Sequence, residues 1–470
     1  MENIKFDKEI IQFIQASNEQ FIKNDLREFL KIASYSLNKE GILKARDYII
    51  SYLSEICDDI QVIEGIVNPL IIAKVEGQLK KFLLVYSMYD TQPISNQKNW
   101  ISPPFEAAVK KFSNELSKLN DCIIARGAYN SKTPLMCFLN VIKILKQKKK
   151  LPISLLLIFD GEEEIGSPTL LKLLDERKEL FNICIDAYYP SSKQDLKGKS
   201  ILKLGYKGIL SLTLEVTSKN QEPHSAFASM IPNPAIDLID LLNKIYSYGE
   251  FHINSLNKPY CLSKQEKLLI DKLLETVNIE DIKTKAGISQ IIEKDYKKAF
   301  YNYIFNPTFN ISTFKSGYLG EGIKNMVPNK ALCNVDIRFA HNILIEDIYR
   351  EINEIVKNFI QNSKSDIKLI RNIGYEGSRV NLNSTLAQSL LKSFEILDIS
   401  TEIWPISAAA APLSTIQKAL GIDFVVGGLG IGGFAHAPNE FIQINSIINT
   451  RLSNYYFLQI YANNRSMNNN

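Results

Sequence analysis

The chain has 470 residues, of which 45% are hydrophobic and 23% are charged, and 55 Lys and Arg residues against 51 Asp and Glu residues give a formal net charge of +4. This balance excludes a disordered chain and a strongly basic nucleic-acid-binding protein, and no apolar run is long enough to span a bilayer. Because the N-terminal MENIKFDKEI is charged where a signal peptide is apolar, we expect a cytoplasmic protein with no nucleic-acid partner and no membrane partner. The length predicts two domains.

The first two hundred residues alternate between helical and strand patterns. Residues 6–58 have apolar side chains at three- and four-residue steps, which predicts two or three helices. The runs VNPLIIAKVEG, KFLLVYSMYD and LPISLLLIFD predict strands, and TPLMCFLNVIKILKQKKK, between the last two, predicts an amphipathic helix. A strand, a helix and a buried strand in this order predict a βαβ unit and therefore a parallel sheet.

The pattern changes near residue 205 and again near residue 380. ILSLTLEVTS, NKALCNVDIRFA and SDIKLIRNIGYEG predict half-exposed strands, and helical patterns lie between them. From about residue 380, long helices and buried strands return, and the last helix is expected to end near Ala462, before a frayed polar tail. We predict an α/β protein: a domain of residues 1–206 and 379–470 with a mostly parallel sheet flanked by helices, and an inserted α+β domain of residues 207–378.

Potential metal ligands lie at the ends of several predicted strands. Asp90, Asp160 and Asp186 end apolar runs, the glutamates 162–164 follow Asp160, and His436 follows a fourth run. Carboxylates and imidazole at one edge of a sheet are typical of a metal-dependent hydrolase, in which adjacent glutamates can take different roles. By itself, the glutamate run also fits a solvated turn.

Five motifs occur in the order that one known family has: WISPPFE at 100–106, ARGAYNSK at 125–132, GEEEIGS at 161–167, EPHSA at 222–226 and FAHAPNE at 434–440. Through them the chain, from about residue 20 to about residue 460, resembles the zinc-dependent family of aminoacylase, carnosinase, succinyl-diaminopimelate desuccinylase and glutamate carboxypeptidase, in its dipeptidase-like branch. The resemblance implies a catalytic domain with two metal ions, an inserted lid domain that usually dimerises, and hydrolysis of a peptide or N-acyl amino acid.

The resemblance also implies roles for individual residues of the catalytic domain. Glu163 corresponds to the general base that activates water, and Glu164 corresponds to a metal ligand. Asp186 corresponds to a ligand of the other metal, and His436 shares a metal with Glu164. Asp90 corresponds to the carboxylate that orients a ligating imidazole.

In the lid domain, the resemblance gives roles to two further residues. His224 corresponds to a histidine that, in dimeric members, reaches the neighbouring subunit's site and polarises the scissile carbonyl. Arg338 corresponds to an arginine that binds the substrate carboxylate. Near the carboxylate-binding loop, Ala408 to Ala411 replace the family's glycines, so any positive φ required there would be strained.

Two positions depart from the family pattern at the metals themselves. Met88 replaces the histidine of Gly-His-x-Asp, and Asn130 replaces the aspartate of Arg-Gly-x-x-Asp, which bridges both metals. Two dications about 3.5 Å apart repel by roughly 19 kcal/mol at an effective dielectric constant near 20, and a neutral amide does not offset this repulsion. We therefore expect at most one ion, zinc or another divalent metal, held weakly by Glu164, His436 and either Asn130 or Asp186, or no ion at all.

Two functions are open at this point. The first is a metal-dependent amidohydrolase or peptidase, with an impaired metal site, that acts on a peptide or an N-acyl amino acid. The second is a catalytically inactive homologue that binds or regulates, and that pairs with an active paralogue. In either case we expect a homodimer or a heterodimer formed through the lid domain.

Overall fold

The computed structural model describes residues 4–57, 59–94, 97–113, 115–286, 288–411 and 413–467. The chain forms two compact units: unit 1 comprises Met1–Leu204, Val380–Trp404 and Thr415–Asn470, and unit 2 comprises Gly205–Arg379 and Pro405–Ser414. The last of these segments, which we expected in the first domain, groups with unit 2 because a strand within it pairs with a strand of that unit.

The strands are numbered along the described chain. They are β1 (Asp59–Ile63), β2 (Leu70–Val75), β3 (Leu79–Met88), β4 (Ala108–Lys110), β5 (Cys122–Ile124), β6 (Ile153–Asp160), β7 (Cys184–Pro190), β8 (Ser200–Lys203), β9 (Gly205–Thr217), β10 (Tyr246–Ser247), β11 (Glu250–Phe251), β12 (Thr308–Ser316), β13 (Lys330–Phe339), β14 (Asp366–Tyr375), β15 (Ser378–Arg379), β16 (Thr401–Trp404), β17 (Ser407–Ala410), β18 (Phe424–Gly427), β19 (Gly432–Gly433) and β20 (Phe441–Gln443).

The α-helices are numbered in the same way. They are α1 (Lys8–Ala16), α2 (Asn18–Phe21), α3 (Arg27–Leu30), α4 (Lys39–Leu53), α5 (Lys132–Gln147), α6 (Pro168–Glu176), α7 (Pro234–Ile245), α8 (Asn254–Asn257), α9 (Lys264–Thr276), α10 (Ile279–Ala286), α11 (Tyr296–Phe305), α12 (Ile345–Asn362), α13 (Thr385–Glu395), α14 (Leu413–Leu420) and α15 (Ile444–Met467). None of the helices in the described ranges is long and apolar enough to cross a membrane.

Unit 1 is built on a six-stranded sheet in the order β1-β2-β6-β3-β7-β18. The pairs β6–β3, β3–β7 and β7–β18 are parallel, whereas β1 and β2 add an antiparallel edge. Every residue of β6 is buried, as its continuous apolar run requires for a central strand. Helices α5, α13 and α15 pack against this sheet and one another, so the predicted α/β class with a mostly parallel sheet is confirmed.

The register of the parallel strands brings several strand ends to one edge of the sheet. Met88, the last residue of β3, pairs with Asp160, the last residue of β6. Pro190 at the end of β7 pairs with Gly427 at the end of β18. The loops that follow these four strands therefore meet at this edge, where open α/β sheets place ligands. A smaller sheet, in the order β19-β20-β5-β4, adds the loops after β5 and β19 to unit 1.

The final helix is longer than we expected from the sequence. We placed its end near Ala462 with a frayed tail, but α15 continues to Met467. Arg465, on the last turn, donates to the buried carboxylate of Asp186 in β7, and Tyr461 donates to the same carboxylate. These contacts between side chains far apart in sequence hold the polar end of the helix against the sheet. The expectation of a frayed tail was wrong up to Met467, and residues 468–470 lie outside the described residues.

Unit 2 is a separate α+β layer. Its main sheet has the antiparallel order β12-β13-β9-β14, and β15 and β17 also pair with β9. The inward side chains of β9 and β13 pack with α7 and α12 in one apolar core. Strand β9 alternates buried and half-buried residues along most of its length, which fits a sheet covered by helices on one face.

Candidate functional site

The turn after β6 carries the three consecutive glutamates. Asp160 begins it, because its carboxylate accepts the backbone N–H of Glu162 at 2.8 Å. The single turn Glu163–Ile165 follows, and Gly166 closes it with a φ of 95°, which glycine adopts without strain. The turn thus places Glu163 and Glu164 at the strand-end edge of the sheet.

Glu162 stabilises this turn through hydrogen bonds to the backbone of neighbouring segments. Its buried carboxylate accepts the backbone N–H groups of Val67 at 2.6 Å, Asn68 at 2.8 Å and Thr169 at 2.8 Å. All the donors are backbone groups, so Glu162 ties the loop before β2 to the start of α6. Of the three glutamates, it is the one with a structural role.

Asp90 anchors the same turn from the end of β3. Its side chain is fully buried and accepts hydrogen bonds from the Ser36 hydroxyl at 2.8 Å and from the backbone N–H groups of Glu163 at 3.2 Å and Glu164 at 3.1 Å. Burial and the neighbouring charge of Asp160 raise the pKa of Asp90 well above its ordinary value. We expected Asp90 to orient an imidazole, whereas in this structure it holds the backbone of the two glutamates.

Met88, two residues before Asp90, is 1% exposed. It lies at the end of β3, opposite Asp160 in the register of the sheet. A thioether in an apolar strand end fills space, and as a soft ligand it does not favour zinc or manganese.

The loop that contains Asn130 is organised by Glu440, which we did not identify from the sequence. The Glu440 carboxylate forms a buried ion pair with Arg126 at 2.9 Å and accepts the backbone N–H groups of Gly127, Tyr129 and Asn130, each at 2.9 Å. A carboxylate with this many charged and backbone donors is strongly held. The signal for it was the acidic residue at the end of the FAHAPNE motif.

Asn130, Glu164 and His436 form a hydrogen-bonded cluster. The Asn130 side-chain amide donates to Glu164 Oε1 at 3.1 Å and lies 3.2 Å from His436 Nε2. His436 Nε2 is 3.3 Å from the same oxygen of Glu164, and Gln92 donates to the other oxygen at 2.8 Å. These four side chains therefore satisfy one another directly.

The donors of this cluster can be assigned from its chemistry. A carboxylate oxygen accepts only, so the NH₂ group of Asn130, and not its carbonyl, faces Glu164. The hydrogen bond to Glu164 raises the pKa of His436 above its ordinary value.

Asp186 lies elsewhere on the sheet. It pairs with Leu83, five residues before Met88 on β3, so the strand geometry places it about 16 Å from the edge where β3 ends. Its carboxylate instead accepts from Tyr461 and Arg465 of α15. The structure does not bring Asp186 together with Glu164 and His436.

Lys193, on the loop after β7, has an electrostatic effect on Glu163, and we did not identify it from the sequence. Lys193 follows the end of β7 by three residues and is partly buried. Burial and the charges of Glu164, Asp90 and Asp160 raise the pKa of Glu163 well above its ordinary value, and the charge of Lys193 opposes them by a smaller amount. A single lysine in a polar loop gives no pattern that could have revealed this pairing.

The two candidate residues of unit 2 occupy separate positions in that unit. His224 is exposed, and its Nδ1 accepts the backbone N–H of Ala226 at 3.1 Å. Arg338 lies in β13, paired with Ile209 of β9 and with Thr308 of β12. Lys207, two residues before Ile209, is buried and donates to the backbone carbonyls of Tyr303 and Asn306; burial, and then the charge of Arg338, lowers its pKa.

The alanine run 408–411 is partly a strand and not a glycine-type loop. Ser407 and Ala410 of β17 pair with Tyr206 and Lys207 of β9. None of the four alanines has a positive φ, so the strain that we expected at these residues does not arise.

The strand-end edge carries the residues for which the resemblance implies metal binding, Glu164 and His436, with Asn130 between them. Within the described ranges, no group of three or more His, Cys, Asp or Glu side chains is arranged to hold a metal. Glu164 and His436 are in contact, but the amide nitrogen of Asn130 contacts both of them where a metal would need a lone-pair donor.

Comparisons with known proteins identify the family to which this fold is similar. The profile of Peptidase family M20/M25/M40 matches residues 84–453. The chain is 26% identical over 309 residues to the Cys-Gly metallodipeptidase dug1 of Schizosaccharomyces pombe, a match that covers 64% of this chain and 62% of that protein. It is 22% identical over 326 residues to the Beta-Ala-His dipeptidase of Rattus norvegicus, covering 67% of this chain and 64% of that protein.

The crystal structure of the M20 family metallo-carboxypeptidase Sso-CP2 from Sulfolobus solfataricus has the same fold, with a TM-score of 0.82 and 27% identity over 97% of this chain and 100% of that one. The two dipeptidase matches each span less than two thirds of the relative's own length. The profile match covers most of this chain, including the turn after β6, the Asn130 loop and His436. The chain belongs to Peptidase family M20/M25/M40.

Proposed function

We propose that this chain, unlike a two-metal hydrolase, binds short peptides or N-acyl amino acids without hydrolysing them by a two-metal mechanism. It would then act as a binding or regulatory subunit. The contact of the Asn130 amide with both Glu164 and His436 is the observation that carries this proposal. A neutral hydrogen-bond donor in this position leaves no shared carboxylate to offset the repulsion between two dications.

Three changes that act together support the loss of the metals. Met88 brings a buried thioether in place of an imidazole, and Asn130 brings an amide in place of a bridging carboxylate. Asp186, for which the resemblance implies a ligand role, is bound to Tyr461 and Arg465. Each change alone weakens a metal site, and together they leave too few ligands for two ions.

The ligand class follows from the relatives and from one feature of unit 2. The relatives named above are dipeptidases and a carboxypeptidase, so their names point to short peptides with a free carboxylate. In unit 2, Arg338 lies in β13, where it pairs with Ile209 of β9. A guanidinium group is suited to a carboxylate, and we propose that Arg338 contributes to carboxylate recognition.

The proposal extends to assembly through unit 2. Strand β12 is an edge of the main sheet of unit 2, and its side chains Ile311 and Phe314 are exposed. An exposed apolar edge strand is a template for pairing with another chain. We propose a homodimer or a heterodimer with an active paralogue, to which this chain would lend His224. Co-purification with the paralogue is expected, and a His224→Ala variant that left the partner's rate unchanged would contradict the donation of His224.

One observation favours the alternative function, a single-metal amidohydrolase. Among the described residues, the carboxylate of Glu163 receives no hydrogen bond, and its pKa is raised well above the ordinary value by burial and by neighbouring carboxylates. A partly buried acid with such a pKa is the kind of group that transfers protons in general acid–base catalysis. This alternative requires one divalent ion beside Glu164.

The experiment that tests the proposal measures metal, binding and turnover on the same preparation. Elemental analysis after incubation with zinc or manganese should find far less than one ion per chain, and Cys-Gly and Beta-Ala-His should not be hydrolysed. Isothermal titration calorimetry should nevertheless detect binding of these dipeptides. One tightly held ion with turnover would establish the alternative, and two ions with turnover would refute the proposal. The Asn362→Asp variant, which adds the same charge on an exposed surface of unit 2, is a matched control for variants of Asn130.

A further inference from the structure

His224 lies on a segment that continues the antiparallel ladder of β9 and β13 beyond the ends of both strands. Thr217 and Lys330 form the last pair of that ladder. Just beyond it, the N–H of Ser218 donates to the carbonyl of Asn329 at 2.9 Å. The segment after β9 and the loop before β13 therefore leave the sheet side by side, so the segment that carries His224 is not a free loop.

Residues 324–327, which we call the clasp, pair with the backbone around His224. The N–H of Val327 donates to the carbonyl of the residue before His224 at 2.8 Å, and the N–H of the residue after His224 donates to the carbonyl of Asn325 at 3.2 Å. His224 itself forms an isolated bridge with Met326. Val327 is 2% exposed, so one end of the clasp is anchored by burial. The backbone of His224 is thus held on both sides.

An ion pair closes the other, exposed end of the clasp. Lys324 Nζ lies 2.8 Å from Glu222 Oε2, and both side chains are exposed. Glu222 has a φ of 42°, a strained conformation for a residue other than glycine, which persists only when neighbouring contacts hold it. Because an exposed ion pair adds little to global stability, this pair acts locally, on the backbone two residues before His224.

The imidazole of His224 has a defined tautomer. His224 begins the single turn Ser225–Phe227, and its Nδ1 accepts the backbone N–H of Ala226 at 3.1 Å. A ring nitrogen that accepts a hydrogen bond carries a lone pair and no proton, so in the neutral imidazole the proton is on Nε2. Since the side chain is exposed, this Nε2–H group is a donor for an acceptor outside the turn.

We propose that Lys324 and Glu222 are positioning residues for His224. By closing the clasp, they hold the turn that fixes the Nε2–H tautomer, and this N–H donates to an acceptor oxygen of a bound short peptide. This inference rests on the proposed function, in which His224 is lent to a partner chain. It goes further in naming the residues that prepare His224 for that role and the hydrogen that His224 donates.

The effect of the ion pair reaches the imidazole through the backbone. Glu222 precedes His224 by two residues, and the carbonyl between them accepts the N–H of Val327. When the ion pair is removed, the strained φ of Glu222 relaxes, and the turn that presents the Ala226 N–H to Nδ1 opens more often. Without that donor, both neutral tautomers of an exposed imidazole become populated.

The test is the 15N NMR spectrum of the imidazole nitrogens in the whole chain, labelled at its four histidines and measured at about pH 8.5, where an ordinary imidazole is neutral. His224→Gln assigns the signals of His224. In wild type, Nδ1 should have the chemical shift of a nitrogen with a lone pair, and Nε2 that of a protonated nitrogen. Saturation with Cys-Gly should move the Nε2 signal more than the Nδ1 signal. In Lys324→Met, the ratio of the Nε2–H to the Nδ1–H tautomer should fall about two- to fivefold, the equilibrium effect of an exposed ion pair.

Matched variants separate positioning from a general loss of structure. Lys357→Met, which removes an exposed lysine of α12, should leave the His224 signals as in wild type, and so should Lys324→Arg, which keeps the ion pair. Glu222→Gln should match Lys324→Met, and the double variant should be no worse than either single variant, because the two residues act as one pair. All of these variants should melt at the temperature of wild type within error.

Unchanged His224 signals in Lys324→Met, an equal change in Lys357→Met, or a wild-type imidazole protonated at Nδ1 would each overturn the inference. Binding of Cys-Gly that leaves the Nε2 signal unmoved would overturn it as well. In each of these cases, wild type would still be free of metal and would still bind the dipeptide. Failure of the proposed function would instead appear as stoichiometric metal and turnover in wild type, which the His224 signals do not report.

Discussion

The side-chain nitrogen of Asn130 lies 3.1 Å from Glu164 Oε1 and 3.2 Å from Nε2 of His436. The same oxygen of Glu164 lies 3.3 Å from His436 Nε2, so the amide and the imidazole meet at one carboxylate oxygen. This contact places a neutral amide donor where the resemblance implies a bridging carboxylate. The predictions below follow from this contact and from the contacts that position it.

Replacing Asn130 by aspartate should destabilise the protein when no metal is present. The change exchanges a donor for a second carboxylate beside Glu164, so one hydrogen bond is lost and like charges are brought together. We expect a loss of about 1–3 kcal/mol in the free energy of unfolding at neutral pH. The loss should shrink as the pH falls and the carboxylates take up protons. Urea unfolding of Asn130→Asp beside Asn362→Asp measures it, and equal stability of the two variants would contradict the prediction.

Glu440 should be the residue whose loss most disturbs the loop that carries Asn130. Glu440→Gln keeps the size of the side chain but leaves Arg126, which is buried, without its ionic partner. Breaking one side of a buried ion pair costs about 3–5 kcal/mol. Chemical denaturation should show this loss, and Glu106→Gln, at an exposed position, should leave stability unchanged within error. A Glu440→Gln protein as stable as the control would show that the ion pair does not hold the loop.

Asp186 should stabilise the C-terminal end of α15 and should not bind a metal. Asp186→Asn removes the charge that holds Arg465, which is partly exposed, so we expect a loss of about 1–3 kcal/mol. Hydrogen–deuterium exchange should become faster in the last turns of α15, while exchange in the turn after β6 should not change. Faster exchange confined to the turn after β6 would instead favour a role for Asp186 at the strand-end edge.

Asp160 should make the protein less stable as the pH rises from about 4 to about 6. Burial raises its pKa from 3.8 to about 6 in the folded protein, so within this window the folded state binds more protons than the unfolded state. The penalty reaches roughly 3 kcal/mol above the window and is absent below it. Stability measured against pH for wild type and Asp160→Asn isolates this contribution as their difference. A difference that does not vary between pH 4 and pH 7 would contradict the assignment.

The architecture could be predicted from the sequence where the patterns are local. The continuous apolar run of β6 and the alternation of β9 identify a buried strand and a half-exposed strand, and both are present. The end of α15 could not be predicted, because the polar segment after Ala462 is held by Asp186, far away in sequence. Residues 405–414 group with unit 2 through a short pairing with β9 that no local pattern indicates.

The site could be predicted only in part. The motifs located Glu163, Glu164 and His436, and the structure brings Glu164 and His436 into contact. Asp186 was expected at the end of its strand, but the register that places it opposite Leu83 is set by pairing between strands and cannot be obtained from a single segment. Lys193 gave no signal for the same reason, since Glu163, whose charge raises its pKa against the larger effect of burial, belongs to another loop.

The central claim is that this cleft does not hold two divalent ions, and it is tested most directly by crystals grown in zinc or manganese and measured at the metal's absorption edge. We predict no anomalous peak between Glu164 and His436, with the Asn130 amide still directed at Glu164, and a new peak when Met88→His and Asn130→Asp are combined. Two fully occupied ions flanking Asn130 in the wild-type crystal would contradict the claim.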